Sequence, residues 1–384
     1  MTRRHLKVLQ VLPGLENGGV ERGTLEIASA LVLDGHESWV ISSGGKLVSQ
    51  LEAGGSHHKE WDIGKKSPLT LLQVRKLRQW LQQQQFDIIH VRSRMPAWIT
   101  WLAWRKLPDQ IRQHSHLVST MHGLHSVSKY SEIMTCGERV IAVSKTCQHY
   151  ITRNYPATRQ EKIRLIYRGV DDREFPYGYQ ADTNWQGQWY EHYPALRQAF
   201  VIALPGRLTR LKGHNEFLTL IAALKNMYPK NRCPPIKGLI VGGEDPKRKN
   251  YAREIYQRVA ELGLKDDIIF TGHRPDMKEI YSVVDVVLSL SAKPESFGRT
   301  VLEALAIGTP VIGYDRGGVG EILCALYPSG RCEVNRPAQV QEKLQELYEG
   351  NHPEVRRNTL FLLSEMQNRT LALYQSLATR PAGS

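Results

Sequence analysis

The 384-residue sequence predicts an α/β fold made of two successive units, each a parallel sheet covered by helices. Three observations carry that prediction. Short runs of β-branched and aliphatic residues alternate with stretches of helical period, the pattern of a parallel sheet with helices on both faces. One polar, aromatic, turn-rich stretch between Val170 and Gln198 breaks the alternation, which then resumes. The chain is also longer than a single hydrophobic core usually grows.

HLKVLQVL reads as the first strand, ENGG as a loop, and VERGTLEIASALVLDGH as a helix with Leu25, Ala28, Leu31 and Val32 on one face. ESWVISS follows as a second strand, completing a β-loop-α-β unit. Helix 69–84, strand 86–92, helix 97–107, strand 116–122, strand 139–144 with a helix behind it, and strand 163–169 continue the series. After the polar segment, read as a linker, strands 200–206, 236–243, 267–272, 284–291 and 310–315 alternate with helices 213–225, 250–262 and 276–284. RTVLEALAIG forms a further helix ended by Gly308 and Pro310, and a short one lies near Gly320. The tail 353–379 has helical character and is expected to close the structure. The predicted domains are therefore 1–178 and 179–359, with a C-terminal helix at about 360–380 packing back on the first.

The composition, 41% hydrophobic and 23% charged, is that of an ordinary globular protein and excludes bulk disorder. Lys and Arg outnumber Asp and Glu by 51 to 38, a formal charge of +13 that favours anionic partners without choosing among them. No nucleic-acid-binding pattern accompanies that charge, so nucleic acid is not an expected partner. Five scattered cysteines without CxxC spacing suit a reducing cytoplasm. The apolar stretch Leu6–Leu12 is interrupted by Lys7 and Gln10 and is too short for a signal peptide, and no uncharged run of 18 residues predicts a transmembrane helix.

The chemistry concentrates in KPESFGRTVLEALAIGTPVIGYDRGG, residues 293–318. Glu295 falls after a buried strand, at the edge of the sheet where ligands of α/β folds sit. The amides around Phe297, Gly298, Arg299 and Thr300 form a helix start, which suits phosphate. A carboxylate beside phosphate suits hydroxyls instead: Glu295 those of a sugar, Glu303 a ribose diol. The plainer reading is that Glu303 is a solvated helix residue and Glu295 a loop charge.

Glu295 and Glu303 with the residues between and after them resemble the E-x7-E signature of the family 4 retaining glycosyltransferases, and GRLTRLKGH (206–214) resembles that family's G-R-x4-K-G element. LIYRGVDDREF resembles its N-G-V-D segment, with Arg168 in place of Asn; VGGEDPK (241–247) and FTGHRPDM (270–277) sit where members have V-G-x-G and F-x-G. ENGGVER resembles the glycine-rich first loop, and STMHGLH the family's T-x-H-G. The resemblance runs from about residue 7 to about 325 and is strongest in the second half.

It implies the GT-B fold, two Rossmann-like domains facing a cleft, and a hexosyltransferase activity. Arg207 and Lys212 would clasp the diphosphate of a UDP- or GDP-sugar, Glu295 and His122 would hold the donor sugar, and Glu303 the ribose. Gly272, His273 and Arg274 would meet the base, and Gly18 and Gly19 would admit a diphosphate or acceptor. His90 and Arg92 are acceptor-side candidates. A strand-end histidine such as His122 is otherwise a hydrogen-bonded structural group, and an Arg and a Lys at a strand-helix turn are otherwise solvated. With fixed cations on the leaving group, neither metal nor cofactor is expected. The residues offer no nucleophile facing the donor, so same-face attack is expected.

The expected acceptor is a glycan or lipid-linked glycan of the bacterial envelope, with lipopolysaccharide core or O-antigen precursors first. The expected location is the cytoplasm, with peripheral contact to an anionic inner membrane. Trp98, Trp101 and Arg105 in helix 97–107 suit either that interface or packing on the sheet. The alternatives are another GT-B sugar-nucleotide enzyme, such as an epimerase, and a non-enzymatic basic anion-binding protein.

Overall fold

The apolar runs become strands of two all-parallel sheets in the computed structural model, which describes residues 4–16, 18–228, 234–244 and 249–379. Cys233 and the residues 245–247 of VGGEDPK lie outside the described residues. One unit comprises the chain up to Gly169 and again from Leu363; the other runs from Val170 to Leu362.

The first unit contains β1 Lys7–Val11, β2 Glu37–Ser42, β3 His57–Glu60, β4 Ile88–Val91, β5 His116–Met121, β6 Arg139–Ala142 and β7 Ile163–Leu165, in the order β3-β2-β1-β4-β5-β6-β7. The second contains β8 Phe200–Pro205, β9 Ile236–Val241, β10 Ile268–Gly272, β11 Val286–Ser289, β12 Val311–Tyr314 and β13 Arg331–Cys332, in the order β10-β9-β8-β11-β12-β13. Both are doubly wound, and the order reverses between β1 and β4 and between β8 and β11. Loops that leave such a pair diverge and open a crevice at the carboxyl edge of the sheet.

Burial on both faces explains the sequence of the central strands. Every residue of β8 is buried, and the side chains of Phe200, Ile202 and Leu204 join Phe217, Ile221 and Ile240 in one core. In the first unit Val8, Ile88, Val118 and Ile141 share a core with Tyr374 and Leu377 of the C-terminal helix Leu363–Ala378. That helix buries seven side chains, and Gln367 donates to the Glu26 carbonyl at 2.8 Å, so it is part of the first unit's wall.

Three features differ from the sequence reading. His57–Glu60 is an edge strand although HHKE has no apolar residue; polar and charged side chains suit an edge. The segment read as irregular contains the helix Thr183–His192, capped by Asp182, whose carboxylate accepts from the amides of Asn184 and Trp185. Its apolar face is aromatic: Trp185 stacks on Trp189 at 5.1 Å, and Trp189 meets Tyr193. The units change at Val170, at the start of that segment and not at 178/179, and Val170 and Leu362, the first and last residues of the second unit, form an isolated parallel bridge.

Candidate functional site

In the second unit the crevice between β8 and β11 is lined by the turn Gly206–Gly213 and by the residues after β11. The two are tied together, since the Ala292 amide donates to the Leu211 carbonyl at 2.8 Å. Gly213 makes this closeness feasible. Its φ is +80°, and a Cβ there would stand 2.3 Å from the Leu290 carbonyl oxygen.

The contact brings Lys212 to Glu295. Lys212 Nζ lies 2.7 Å from Glu295 Oε1, with each side chain 28% exposed. Ser291 donates a second hydrogen bond to the same oxygen. Burial pushes the Glu295 carboxyl up, but the Lys212 charge, its hydrogen bond and that of Ser291 together hold it below the ordinary glutamate value. Glu295 is thus an ionised, oriented acceptor.

Two helix starts lie beside it. Helix Arg299–Ile307 begins at Gly298 and helix Gly317–Leu326 at Arg316, and neither has a side-chain cap. The Gly318 amide donates to the Glu295 carbonyl at 2.9 Å, and Gly318 packs against the backbone of Phe297. Uncapped amides of this kind attract an anion. Arg316 donates to the Ser291 carbonyl, and its Nε is buried without an acceptor among the described residues. Ser291 and Arg316 were not singled out from the sequence; the polar SLSAKPES run after the strand and the YDRGG turn are the signals that carry them.

Arg207, on the same turn as Lys212, is exposed and has no ion-pair partner among the described residues. Glu303 is placed differently. It is 5% exposed, accepts from Arg299 Nε at 2.8 Å and from the Tyr281 hydroxyl at 3.4 Å. Arg299 and Glu303 are one helical turn apart and satisfy each other, so a ligand hydroxyl reaching Glu303 must share it with Arg299.

Gly272 ends β10 with φ +69°, and the exposed His273 stands against Gly243 of the neighbouring strand end. The Leu208 amide in turn donates to the Gly243 carbonyl at 3.1 Å, so the turns after β8, β9 and β10 adjoin. Arg274 points into a structural set: its Nε lies 2.8 Å from Asp276, Trp185 Nε1 donates to the same carboxylate at 2.9 Å, and its guanidinium sits 5.5 Å from the Trp189 ring. Burial works against the Asp276 carboxylate, yet these hydrogen bonds hold its pKa below the ordinary value. Arg274 thereby locks helix Thr183–His192 onto the strand ends.

The first unit has its own polar centre at the β1/β4 switch. His90 is 1% exposed; its ring nitrogens meet the Tyr374 hydroxyl at 2.5 Å and the Thr120 hydroxyl at 2.6 Å. Arg92, also buried, reaches His122 Nε2 at 3.4 Å. Arg168 donates to the Gly19 carbonyl, fixing the first turn of helix Gly19–Leu33, for which Gly18 is the N-cap. Arg168, Arg92, His90 and His122 line one small cavity of about 20 Å³. Burial first, then the neighbouring Arg168 and Arg92 charges, depress the His122 pKa strongly; burial and Arg92 do the same to His90. Both imidazoles are neutral at ordinary pH.

Helix Arg94–Trp104 ties two of its tryptophans to neighbouring backbone. Trp98 Nε1 donates to the Tyr130 carbonyl at 3.1 Å and Trp104 Nε1 to the Ser115 carbonyl at 2.7 Å, while Arg105 stacks on Trp101. The indole N–H groups of Trp98 and Trp104 are thus satisfied within the fold, while all three tryptophans stay part-exposed.

Comparison with known proteins gives two family matches. Glycosyltransferase Family 4 matches residues 17–174, and Glycosyl transferases group 1 matches residues 193–359. The N-acetyl-alpha-D-glucosaminyl L-malate synthase of Bacillus anthracis is 24% identical over 90% of this chain and 87% of its own length. Among solved structures, a glycosyltransferase from Rickettsia africae ESF-5 has a TM-score of 0.79 at 27% identity, covering 98% of this chain and 100% of its own. Anabaena Alr3699/HepE, solved with UDP and glucose, has a TM-score of 0.73 at 20% identity, with 98% and 95% covered. WaaG, a glycosyltransferase involved in lipopolysaccharide biosynthesis, has a TM-score of 0.67 at 14% identity, with 98% and 100% covered.

Proposed function

The chain belongs to the family 4 glycosyltransferases of GT-B fold, and from that premise we propose that it moves a hexose from a UDP- or GDP-sugar to a glycan or lipid-linked glycan acceptor with retention of anomeric configuration. The observation that carries the reading is the Lys212–Glu295 pair, which brings together residues 83 positions apart beside two uncapped helix starts. Cation, carboxylate and helix amides are the three groups that a sugar diphosphate needs at its reacting end.

In this reading Arg207 and Lys212 take the charge that grows on the departing diphosphate, a stabilisation that is largest where water is scarce. The amides of Phe297, Gly298, Arg299 and Thr300 hold the phosphates, and Glu295 accepts from donor-sugar hydroxyls. Glu303 and Arg299 take the ribose and phosphate edge as a pair, and Gly272, His273 and the backbone at Arg274 border the base. Neutral His122 offers a hydrogen bond without adding charge, and Gly18 and Gly19 border the acceptor side. The acceptor hydroxyl attacks from the face that the diphosphate leaves, and a leaving phosphate oxygen takes its proton. Neither a metal nor another cofactor has a part in these steps.

Lipopolysaccharide or O-antigen precursors, met at the cytoplasmic face of the inner membrane, are the acceptor class we favour. The kinship of fold with WaaG supports it. Binding of UDP, GDP and ADP measured by calorimetry on wild type and Arg207→Ala tests the donor site. Arg207 is exposed and has no ion-pair partner among the described residues, so its loss should leave the melting temperature unchanged and weaken binding of the preferred diphosphate about tenfold or more. A folded wild type that binds no nucleotide sinks the transferase reading.

A further inference from the structure

Ten large hydrophobic side chains are prominently exposed among the described residues, and three of them fall within four positions: Leu69, Leu71 and Leu72, at 70%, 48% and 71% exposure. Single exposed leucines need no explanation, but a cluster does. They sit on the 3-10 turn Pro68–Leu72, which runs into helix Gln73–Gln84. Residues three apart eclipse in a 3-10 turn, so Leu69 and Leu72 stand one above the other. Helical spacing then carries the same face on to Arg75 and Lys76, both exposed, while Leu77 and Leu81 turn inward to the core.

The charge along this segment is basic. From Ile63 to Phe86 the chain carries Lys65, Lys66, Arg75, Lys76 and Arg78 and no Asp or Glu. The nearest acid before it, Asp62, pairs with Lys65 at 2.5 Å. Lys66 lies 5.8 Å from the Tyr130 ring, which places the turn beside residues 126–130, a loop running into the short helix Lys129–Glu132, where Val127 is 57% exposed and Lys129 is exposed. Exposed leucines flanked by lysines and arginines match a bilayer whose apolar boundary lies under anionic headgroups.

We propose that this face, the Leu69–Leu72 turn with the first two turns of helix Gln73–Gln84, is the surface by which the protein docks on an anionic lipid bilayer. The expected membrane contact is thereby placed here and not on helix Arg94–Trp104, where Trp98 and Trp104 donate their N–H groups to backbone carbonyls. Among the described residues no helix is long and apolar enough to cross a membrane, so the contact is peripheral. The turn follows β3 and the 126–130 loop follows β5; in a parallel sheet both lie at the carboxyl edge, the edge at which His122 ends its strand. Docking through it sets the candidate site of this unit at the headgroup level. The proposal deepens the transferase reading by naming how a lipid-linked acceptor is met, but vesicle binding does not depend on a working donor site.

The test is flotation of the full chain with vesicles of phosphatidylglycerol and phosphatidylethanolamine, against phosphatidylcholine alone. Wild type should bind the anionic vesicles, weakly or not at all the neutral ones, and less in high salt. Leu69→Ser with Leu72→Ser should reduce partitioning by roughly tenfold per leucine, and Lys76→Glu by about fivefold or more. Leu33→Ser with Leu360→Ser, at isolated exposed positions, should bind as wild type. Absence of wild-type binding to anionic vesicles, or equal binding by the Leu69/Leu72 variant, overturns the proposal. So does concentration-dependent self-association that the Leu69/Leu72 variant abolishes while vesicles remain unbound, which would assign the face to a second copy. UDP binding measured in parallel separates failure of the donor site from failure of the docking surface.

Discussion

Replacing Lys212 by Met removes the charge that faces Glu295 and keeps the aliphatic stem, so the loss can be read as electrostatics. An ion pair fully buried costs about 3–5 kcal/mol when one partner is removed, and an exposed one about 0–1 kcal/mol. The Lys212–Glu295 pair lies between these limits, at 2.7 Å with 28% exposure on each side, and Ser291 still serves the carboxylate after the change. The expected loss is about 2 kcal/mol near neutral pH, a fall of roughly 4–8 °C in the transition of a unit of this size. Its pH dependence is the sharper test. In the wild type the Glu295 carboxyl is depressed, so its contribution is present above the ordinary glutamate pKa and is lost as pH falls through the folded value. In the variant the opposing Lys212 charge is gone and burial dominates, so the carboxyl is raised and ionisation destabilises. The gap between the two proteins is therefore widest near neutrality and closes in acid, where both carboxyls are protonated. Calorimetric scans between about pH 7 and pH 4 follow it. A gap that is constant or grows toward acid would refute the charge coupling and leave only a packing effect.

Gly298 has φ +113°, and a Cβ there would lie 2.8 Å from Val319 Cγ2; Gly298→Ala should cost about 1–3 kcal/mol and weaken nucleotide binding by tilting the start of helix Arg299–Ile307. Thermal melting and calorimetry check this, and an alanine variant of wild-type stability would contradict it. His90 and His122 are both depressed in the folded state, so the unfolded chain takes up protons below about pH 6.5 that the folded chain refuses, and stability should fall with pH at up to roughly 2.7 kcal/mol per unit for the two. His90→Gln should flatten that slope by about half when unfolding is followed by the tryptophans of the first unit, and an unchanged slope would remove His90 from the account.

The alternation of strands and helices was legible because central parallel strands are buried on both faces and say so in composition. Phe200–Pro205 could hardly be read otherwise. The helix Thr183–His192 was not legible as apolar period, since its face is built from Trp185, Trp189 and Tyr193, aromatic residues spaced by four that looked like linker. The edge strand His57–Glu60 carries no apolar residue because an edge gains from polarity. In the site, local spacing revealed the turn holding Arg207 and Lys212 and the helix holding Glu303. It could not reveal that Lys212 meets Glu295, because that contact depends on Gly213 admitting the Leu290 carbonyl across the crevice. Nor could it reveal that Arg274 is engaged by Asp276 and Trp185, a partnership created by the helix the period concealed.

The pairing of Lys212 with Glu295 bears on how a donor is accepted. A lone lysine in a crevice would be disordered or solvated, and a lone buried carboxylate would take up a proton. Paired, each is charged, oriented and ready, with Ser291 retaining the carboxylate when the lysine turns away. Under the proposed transfer, the diphosphate replaces Glu295 as the partner of Lys212, and the sugar hydroxyls replace Lys212 as the partner of Glu295. The exchange leaves Lys212 with an anionic partner and Glu295 with hydrogen-bond donors, so neither group loses all its partners. It also favours phosphate and sugar together: a bare diphosphate binds, but it draws Lys212 away and leaves Glu295 to Ser291 alone, whereas the intact sugar nucleotide gives both groups a partner. The arrangement thereby ties firm grip of the leaving group to the presence of the group to be transferred, which is the discrimination a transferase needs before it commits its donor.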